Sequence, residues 1–182
     1  MFNAMAKKTV MTEKEINLSI KNISEQILKK NPDLKNLVLI GIVTRGVCLA
    51  NRIAKEIEKK KNINLPVGSL DITFYRDDVD SIARQPLAKE TKIPFDLTNK
   101  KIILVDDVLF TGRSIRAALD ELIDFARPKS VQLAVLIDRG HRELPIQADF
   151  IGKTVKTNYQ DQIQVQLKEV DGLDRVTYEV KK

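Results

Sequence analysis

Two carboxylates stand side by side at Asp106-Asp107, and the small turn Thr111-Gly112-Arg113-Ser114 follows closely. Paired carboxylates accept hydrogen bonds from the vicinal hydroxyls of a sugar and favour positive charge that develops nearby. A turn of this kind opening a helix does the opposite. Its free backbone N–H groups and the positive end of the helix dipole favour a phosphate, and Gly112 lets the backbone approach closely. A ligand with a ribose diol at one end and a 5'-phosphate at the other satisfies both halves.

The flanking residues supply the elements that hold these groups. Ile102 to Val105 is a continuous apolar run rich in β-branched residues, the pattern of a strand buried on both faces. It is predicted to surface at Asp106, because two adjacent carboxylates are costly to desolvate. Ile115, Ala118, Leu119, Leu122, Ile123 and Ala126 then recur at helical spacing. The acid pair and the turn therefore belong at the carboxyl end of a strand, where open α/β sheets bind ligands. Asp also caps ordinary turns. Strand, acid pair, Thr-Gly and helix in this order argue for the ligand site instead. A receiver-type domain places acids after an apolar strand near its start, whereas this pair lies past the middle of the chain.

Two further units repeat the arrangement. Leu37 to Val43 is an apolar strand broken by Thr44-Arg45-Gly46, and Val47, Leu49, Ala50, Ile53, Ala54 and Ile57 continue as a helix. Val131 to Ile137 is another such strand and stops at Asp138-Arg139-Gly140-His141-Arg142-Glu143-Leu144-Pro145. Three strands ending in three polar loops on one sheet edge define a single site. Neither glycine turn has the G-x-G-x-x-G or G-K-[ST] pattern, so dinucleotide and Walker sites are not indicated.

The rest of the chain frames that core. Met1 to Met11 reads as a loose tail, and Thr12 to Glu15 is a capping box before a helical stripe of Ile16, Ile20, Ile23 and Ile27 that Asn31-Pro32 ends. Leu70, Ile72 and Phe74 alternate as a strand, and residues 75–88 form a long polar stretch containing Arg76 and Arg84. A loop of that length within a domain is functional or disordered. Phe150 to Lys153, then Ile163, Val165 and Leu167, then Val176, Tyr178 and Val180 suggest short strands that finish the sheet or form a small flanking hood. The expected fold is α/β, a mostly parallel twisted sheet flanked by helices, in a single domain spanning residues 1–182.

With 31 basic and 25 acidic residues the formal net charge is +6, which favours anionic partners, phosphorylated metabolites or nucleic acid alike. One cysteine excludes an internal disulfide, and Cys48, in an apolar helical pattern, reads as packing. Zinc spacing, a signal peptide and a membrane span are not seen, so a cytoplasmic location is expected.

The acid pair followed by the Thr-Gly loop resembles the signature of the type I phosphoribosyltransferases. GIVTRG, DITFYRDD, KIILVDDVLFTGRS, QLAVLIDRGHRELPI and DFIGK, in that order, resemble more closely the PyrR family, pyrimidine operon attenuation regulators that are also uracil phosphoribosyltransferases. The resemblance implies the type I phosphoribosyltransferase fold and transfer of ribosyl phosphate from phosphoribosyl pyrophosphate to uracil, giving UMP and diphosphate with Mg2+. It implies catalytic roles for Asp106, Asp107 and Arg76, with no side chain assigned as a direct metal ligand. Phosphoribosyl pyrophosphate or UMP would be bound by Thr44, Arg45, Gly46, Arg84, Val108, Leu109, Phe110, Thr111, Gly112, Arg113, Ser114, Asp138 and Arg139 together with the acid pair. Residues 75–88 correspond to a flexible loop that covers the site. The resemblance also implies UMP-responsive binding of a pyrimidine-operon leader RNA, through Lys21, Arg142 and Lys153, by a homodimer or larger homo-oligomer. Family members often carry His and Arg where this chain has Glu25 and Gln147, and Arg where it has Asn22, departures that bear on RNA. The alternatives are a phosphoribosyltransferase with weakened or lost RNA regulation, or one acting on a purine or orotate.

Overall fold

The computed structural model describes residues 7–73 and 91–180. Strand β1 (Lys7–Thr12) leads into helix α1 (Glu13–Lys30), and β2 (Leu37–Ile42) into α2 (Arg45–Lys61). Strands β3 (Val67–Leu70) and β4 (Lys101–Leu109), helix α3 (Arg113–Phe125), and strands β5 (Ser130–Asp138) and β6 (Phe150–Thr154) follow. Strand β7 (Gln162–Gln166), the short helix α4 (Lys168–Asp171) and strand β8 (Arg175–Glu179) come last.

Five strands in the order β3-β2-β4-β5-β6 form a sheet in which every named neighbour is parallel. Such strands need cover on both faces, and their residues divide accordingly. Leu37, Leu39, Ile103 and Val105 pack with α1 and α2, whereas Val38, Ile40, Ile102 and Leu104 pack with α3. Burying each of these side chains contributes about 1.5–3 kcal/mol. From β2 the chain moves outward to β3 and then returns to β4 on the other side of β2. Helices α2 and α3 accordingly cover opposite faces, which opens a crevice between the ends of β2 and β4.

Helix α1 begins with the predicted capping box. The Thr12 side chain accepts from Glu15 N–H, and Thr12 N–H donates to Glu15 Oε2 at 2.8 Å. Its buried stripe includes Ile16, Ile20, Ile23 and Ile27, and Asn31 closes it by donating its N–H to Ile27 O at 2.9 Å. On α3, Ile115, Ala118 and Leu122 are buried as expected, but Ile123 projects into solvent. Its position one residue past Leu122 carries it off the inward stripe.

Three boundaries differ from the sequence expectation. Residues 7–11 are not a loose tail, because β1 pairs antiparallel with β8 and Met11 is buried. Lys7, Lys8 and Thr9 are exposed, and a register shift between Thr9 and Met11 breaks the alternation that marks a strand. Strand β4 does not end at Val105. Pairing with β2 stops there, but β5 continues through Val108↔Ile137 and Leu109↔Asp138, so the acid pair rides on a strand open on one side only. Strand β3 ends at Leu70, with Ile72 buried beyond it, and Phe74 lies outside the described residues. Strand β6 completes the main sheet, while β1, β8 and β7 make a separate antiparallel sheet, the hood.

Met11→Ala separates a docked strand from a tail. It is expected to cost about 2–5 kcal/mol, read as a lower urea midpoint; an unchanged midpoint would mean that β1 does not hold the hood.

Candidate active site

The loops after β2, β4 and β5 meet at the carboxyl edge of the sheet, and the first two touch. A Cβ on Gly46 would lie 2.4 Å from the Val105 carbonyl oxygen and 3.4 Å from Asp106 Cα. Only glycine admits this approach, so the N-terminus of α2 packs against the backbone of β4 where the acid pair begins. Gly112, at φ 93°, is the N-cap of α3 and turns the chain from Thr111 into that helix. Neither α2 nor α3 has a side-chain N-cap bond or an acidic residue in its first turn, in contrast to α1. No acidic side chain of either first turn occupies these amides, and at α3 the Arg113 N–H donates to Thr111 Oγ1 at 3.4 Å.

Asp106 is buried and its Oδ1 accepts from Asp107 N–H at 2.9 Å; Asp107 Oδ1 accepts from Val108 N–H at 2.8 Å. These bonds fix both carboxylates at the crevice. Burial pushes the Asp107 carboxyl above its usual range, a shift that the charge of Arg45 partly offsets. Val108 is half-buried, whereas the Leu109 side chain lies in the core and its carbonyl accepts from Arg139 N–H at 3.1 Å. Arg113 is exposed and Ser114 half-buried at the start of α3.

Arg45 reaches away from the sheet to the hood. Its Nε donates to Asp171 Oδ2 at 3.1 Å and its Nη2 to Asp171 Oδ1 at 2.8 Å. These bonds raise the pKa of Arg45 and lower that of Asp171. Arg52, further along α2, pairs with Glu169 at 2.6 Å and Asp174 at 2.7 Å. Cys48 is half-buried, and burial pushes its thiol up, in line with a packing role.

The third loop is held from within. Arg142 donates to Phe110 O at 2.8 Å, Gly140 O at 3.0 Å, Ile146 O at 3.0 Å and Asp138 Oδ2 at 2.6 Å. Expected on the RNA surface, it ties this loop to the carbonyl of Phe110, just before the α3 turn. Asp138 Oδ1 also accepts from Gly140 N–H at 2.9 Å. The Arg139 guanidinium stacks over Phe110 at 4.0 Å and donates to Thr157 Oγ1 and the carbonyls of Asn158 and Tyr159. Both side chains are engaged inside the protein, which leaves backbone groups and ring faces to meet a ligand. Phe110, His141 and Tyr159 form that ring cluster, with centroids 5.2–5.9 Å apart. Glu143 joins it to the start of α3, accepting from Arg113 Nε at 2.7 Å and from Tyr159 O–H at 2.5 Å.

Of the remaining expected residues, Arg76 and Arg84, with the whole of 75–88, lie outside the described residues. Lys21 is exposed on α1. Lys153 donates to Val10 O at 2.9 Å and lies 3.8 Å from Glu15, so it is turned toward β1 and the start of α1. Glu25 is ion-paired with Lys60 of α2, which offsets the negative charge it adds to that face. Gln147 lines a groove of about 630 Å3 together with Asp138, Arg139 and Gly140 of the third loop. Asp171, Arg52 and Tyr159 were not legible as site residues, because each acts on a partner far away in the chain.

The fold and these loops define a phosphoribosyltransferase-type site. Residues 8–169 match the family described as phosphoribosyl transferase domain, and the chain belongs to that family. Within it the chain falls among the PyrR proteins. It is 49% identical over 170 residues to the bifunctional protein PyrR of Deinococcus radiodurans, covering 93% of each chain. With that of Clostridioides difficile it shares 52% identity over 171 residues, covering 94% of this chain and 97% of the relative. Among solved structures, a hypoxanthine-guanine phosphoribosyltransferase from Bacillus anthracis matches with TM-score 0.71 at 16% identity, covering 97% of this chain and 99% of that one. The Trypanosoma cruzi hypoxanthine phosphoribosyltransferase in complex with the product IMP matches with TM-score 0.71 at 15% identity, covering 98% and 92%. At that identity the two structures speak for the fold alone.

The raised pKa of Asp107 sets a pH test. A carboxyl whose folded pKa lies above its unfolded value favours folding when protonated, so the ionised form costs stability that returns as pH falls toward ~3.9. Asp107→Asn keeps an acceptor for Val108 N–H and is expected to melt higher than the parent at pH 8, with the gap closing toward pH 4. A gap independent of pH contradicts the assignment.

Proposed function

We propose that this protein transfers ribosyl phosphate from phosphoribosyl pyrophosphate to uracil and also binds a pyrimidine-operon leader RNA in response to UMP, attenuating transcription. The observation that supports the enzymatic half is the contact at Gly46, which brings the N-terminus of α2 against the strand end that carries the two carboxylates. Kinship at about half identity with proteins named bifunctional carries the second half.

In this reading the amides and hydroxyls of Thr111 to Ser114 hold the 5'-phosphate, and Asp106 and Asp107 accept from the ribose 2'- and 3'-hydroxyls. Thr44, Arg45 and Gly46 receive the diphosphate, with Arg76 and Arg84 joining from residues 75–88. The bond from ribose C1 to the diphosphate oxygen breaks, the bond from C1 to uracil N1 forms, and the N1 proton is released. Positive charge grows at C1 meanwhile, and the acid pair, fixed beforehand by its own backbone bonds, favours it without reorganising. Phe110 and Tyr159 offer faces to the pyrimidine ring, and the backbone at Asp138 and Arg139 offers hydrogen bonds to its edge.

Among the described residues no cluster of three or more His, Cys, Asp or Glu could hold a metal ion. Mg2+ keeps few protein ligands and binds substrate phosphates and water. Asp106 and Asp107, the carboxylates assigned to the diol, would hold it there through the bound substrate and water. When bound, Mg2+ supplies charge neutralisation to the leaving diphosphate.

For RNA, we assign the exposed face of α1 and α2, where Lys21, Lys55 and Lys59 line a groove of about 560 Å3 and the Glu25–Lys60 pair removes a repulsive charge. The protein acts in the cytoplasm, where its substrates and nascent RNA are found; no described helix is long and apolar enough to cross a membrane. A single domain carries both activities, and Ile123 and Phe125, exposed near the end of α3, are apolar surface available to other copies in a homodimer or larger assembly.

Purified protein is expected to form UMP from uracil and phosphoribosyl pyrophosphate with Mg2+, with Asp106→Asn lower by on the order of 10²-fold in kcat/KM. Preference for hypoxanthine, guanine or orotate in competition would overturn the base assignment. The cognate leader stem-loop should shift in a gel at low salt with UMP present, and Lys21→Glu should weaken the shift. No shift by the parent protein leaves the enzyme alone.

A further inference from the structure

Arg45 belongs to the turn assigned to the diphosphate, yet its charge is already engaged. The two-pronged bond to Asp171 uses the Nε–Nη2 edge, the fork by which a guanidinium also grips a phosphate. Asp171 cannot follow Arg45 inward. Its Oδ2 also accepts from Leu167 N–H at 2.8 Å, and its own N–H donates to Leu167 O at 2.7 Å, so α4 would have to unwind. Arg52 grips Glu169 and Asp174 on either side, and α4 stays docked when Arg45 lets go. The Arg45 and Asp171 side chains retain 30% and 16% of their exposure, so water screens the pair and a more highly charged anion can displace it.

We propose that Asp171 is a positioning residue that holds Arg45 on the hood while the diphosphate subsite is empty, and that diphosphate takes the guanidinium from it. The inference rests on the assignment of Thr44-Arg45-Gly46 to the diphosphate. Asp171 acts through Arg45 and touches no reacting atom. Its consequence is symmetrical: it weakens the hold on the diphosphate end of the substrate and, after transfer, on free diphosphate, which eases product release.

Calorimetry with inorganic diphosphate and Mg2+, and separately with UMP, tests this. Asp171→Asn removes the charge and keeps an acceptor for Leu167 N–H. It is expected to bind diphosphate roughly two- to fivefold more tightly than the parent, with unchanged affinity for UMP, which has no diphosphate. Asp171→Ser, whose hydroxyl also accepts from Leu167 N–H, is a second neutral variant should the first fold poorly. Asp174→Asn weakens the Arg52 clamp, which Glu169 still holds, without touching Arg45, and should bind diphosphate like the parent. In an Arg45→Ala background Asp171→Asn should give no gain.

Unchanged or weaker diphosphate binding by both neutral variants overturns the inference, as does a gain that survives removal of Arg45. If the parent binds diphosphate no better than Arg45→Ala does, the subsite assignment itself fails. If they differ and neither Asp171 variant tightens, only the role of Asp171 fails.

Discussion

A parallel sheet covered on both faces leaves its polar loops one place to gather, the carboxyl ends of its strands. In this chain that constraint is tightened at one atom pair. Gly46 lets the first turn of α2 rest on the Val105 carbonyl, so two helix N-termini and two carboxylates share one crevice. Groups that favour anions and groups that repel them are thereby held side by side. A phosphoribosyl compound, with hydroxyls between two phosphate ends, suits such a site.

Around that core the charges are paired with a division of labour. The arginines of the third loop are structural: Arg142 binds four oxygens of its own neighbourhood, and Arg139 packs against Phe110 while donating to the turn between β6 and β7. They shape a surface rather than present charge. Arg45 and Arg52 fasten the hood to α2 instead. The hood thus depends on the same helix whose N-terminus faces the ligand. Arg45 links the two regions: its charge acts on the Asp107 carboxyl, and its guanidinium is bonded to Asp171 of α4.

The parallel sheet and its helices could be read from the sequence because buried parallel strands are continuous apolar runs and α1 carries a reciprocal cap. The three loops followed from where those runs stop. What escaped did so for physical reasons. The polar edge strand β1 has its alternation broken by a register shift, so Lys7 to Met11 looked like a tail. The extension of β4 past Val105 depends on its neighbour β5, which no local pattern records. Arg142 looked available because a cationic side chain in a polar loop carries no mark of the carbonyls it will meet. Asp171 is 126 residues from Arg45 and lies in a helix of four residues, so only the folded chain unites them.

The central claim is that one crevice holds the 5'-phosphate on the amides of Thr111 to Ser114 and the ribose diol on Asp106 and Asp107. A crystal structure with UMP bound tests it most directly. The account predicts the phosphate within hydrogen-bonding distance of those backbone nitrogens, both ribose hydroxyls donating to the acid pair, and the pyrimidine ring beside Phe110 and Tyr159. UMP seated elsewhere, or its phosphate at the α2 turn with the α3 turn empty, would contradict it.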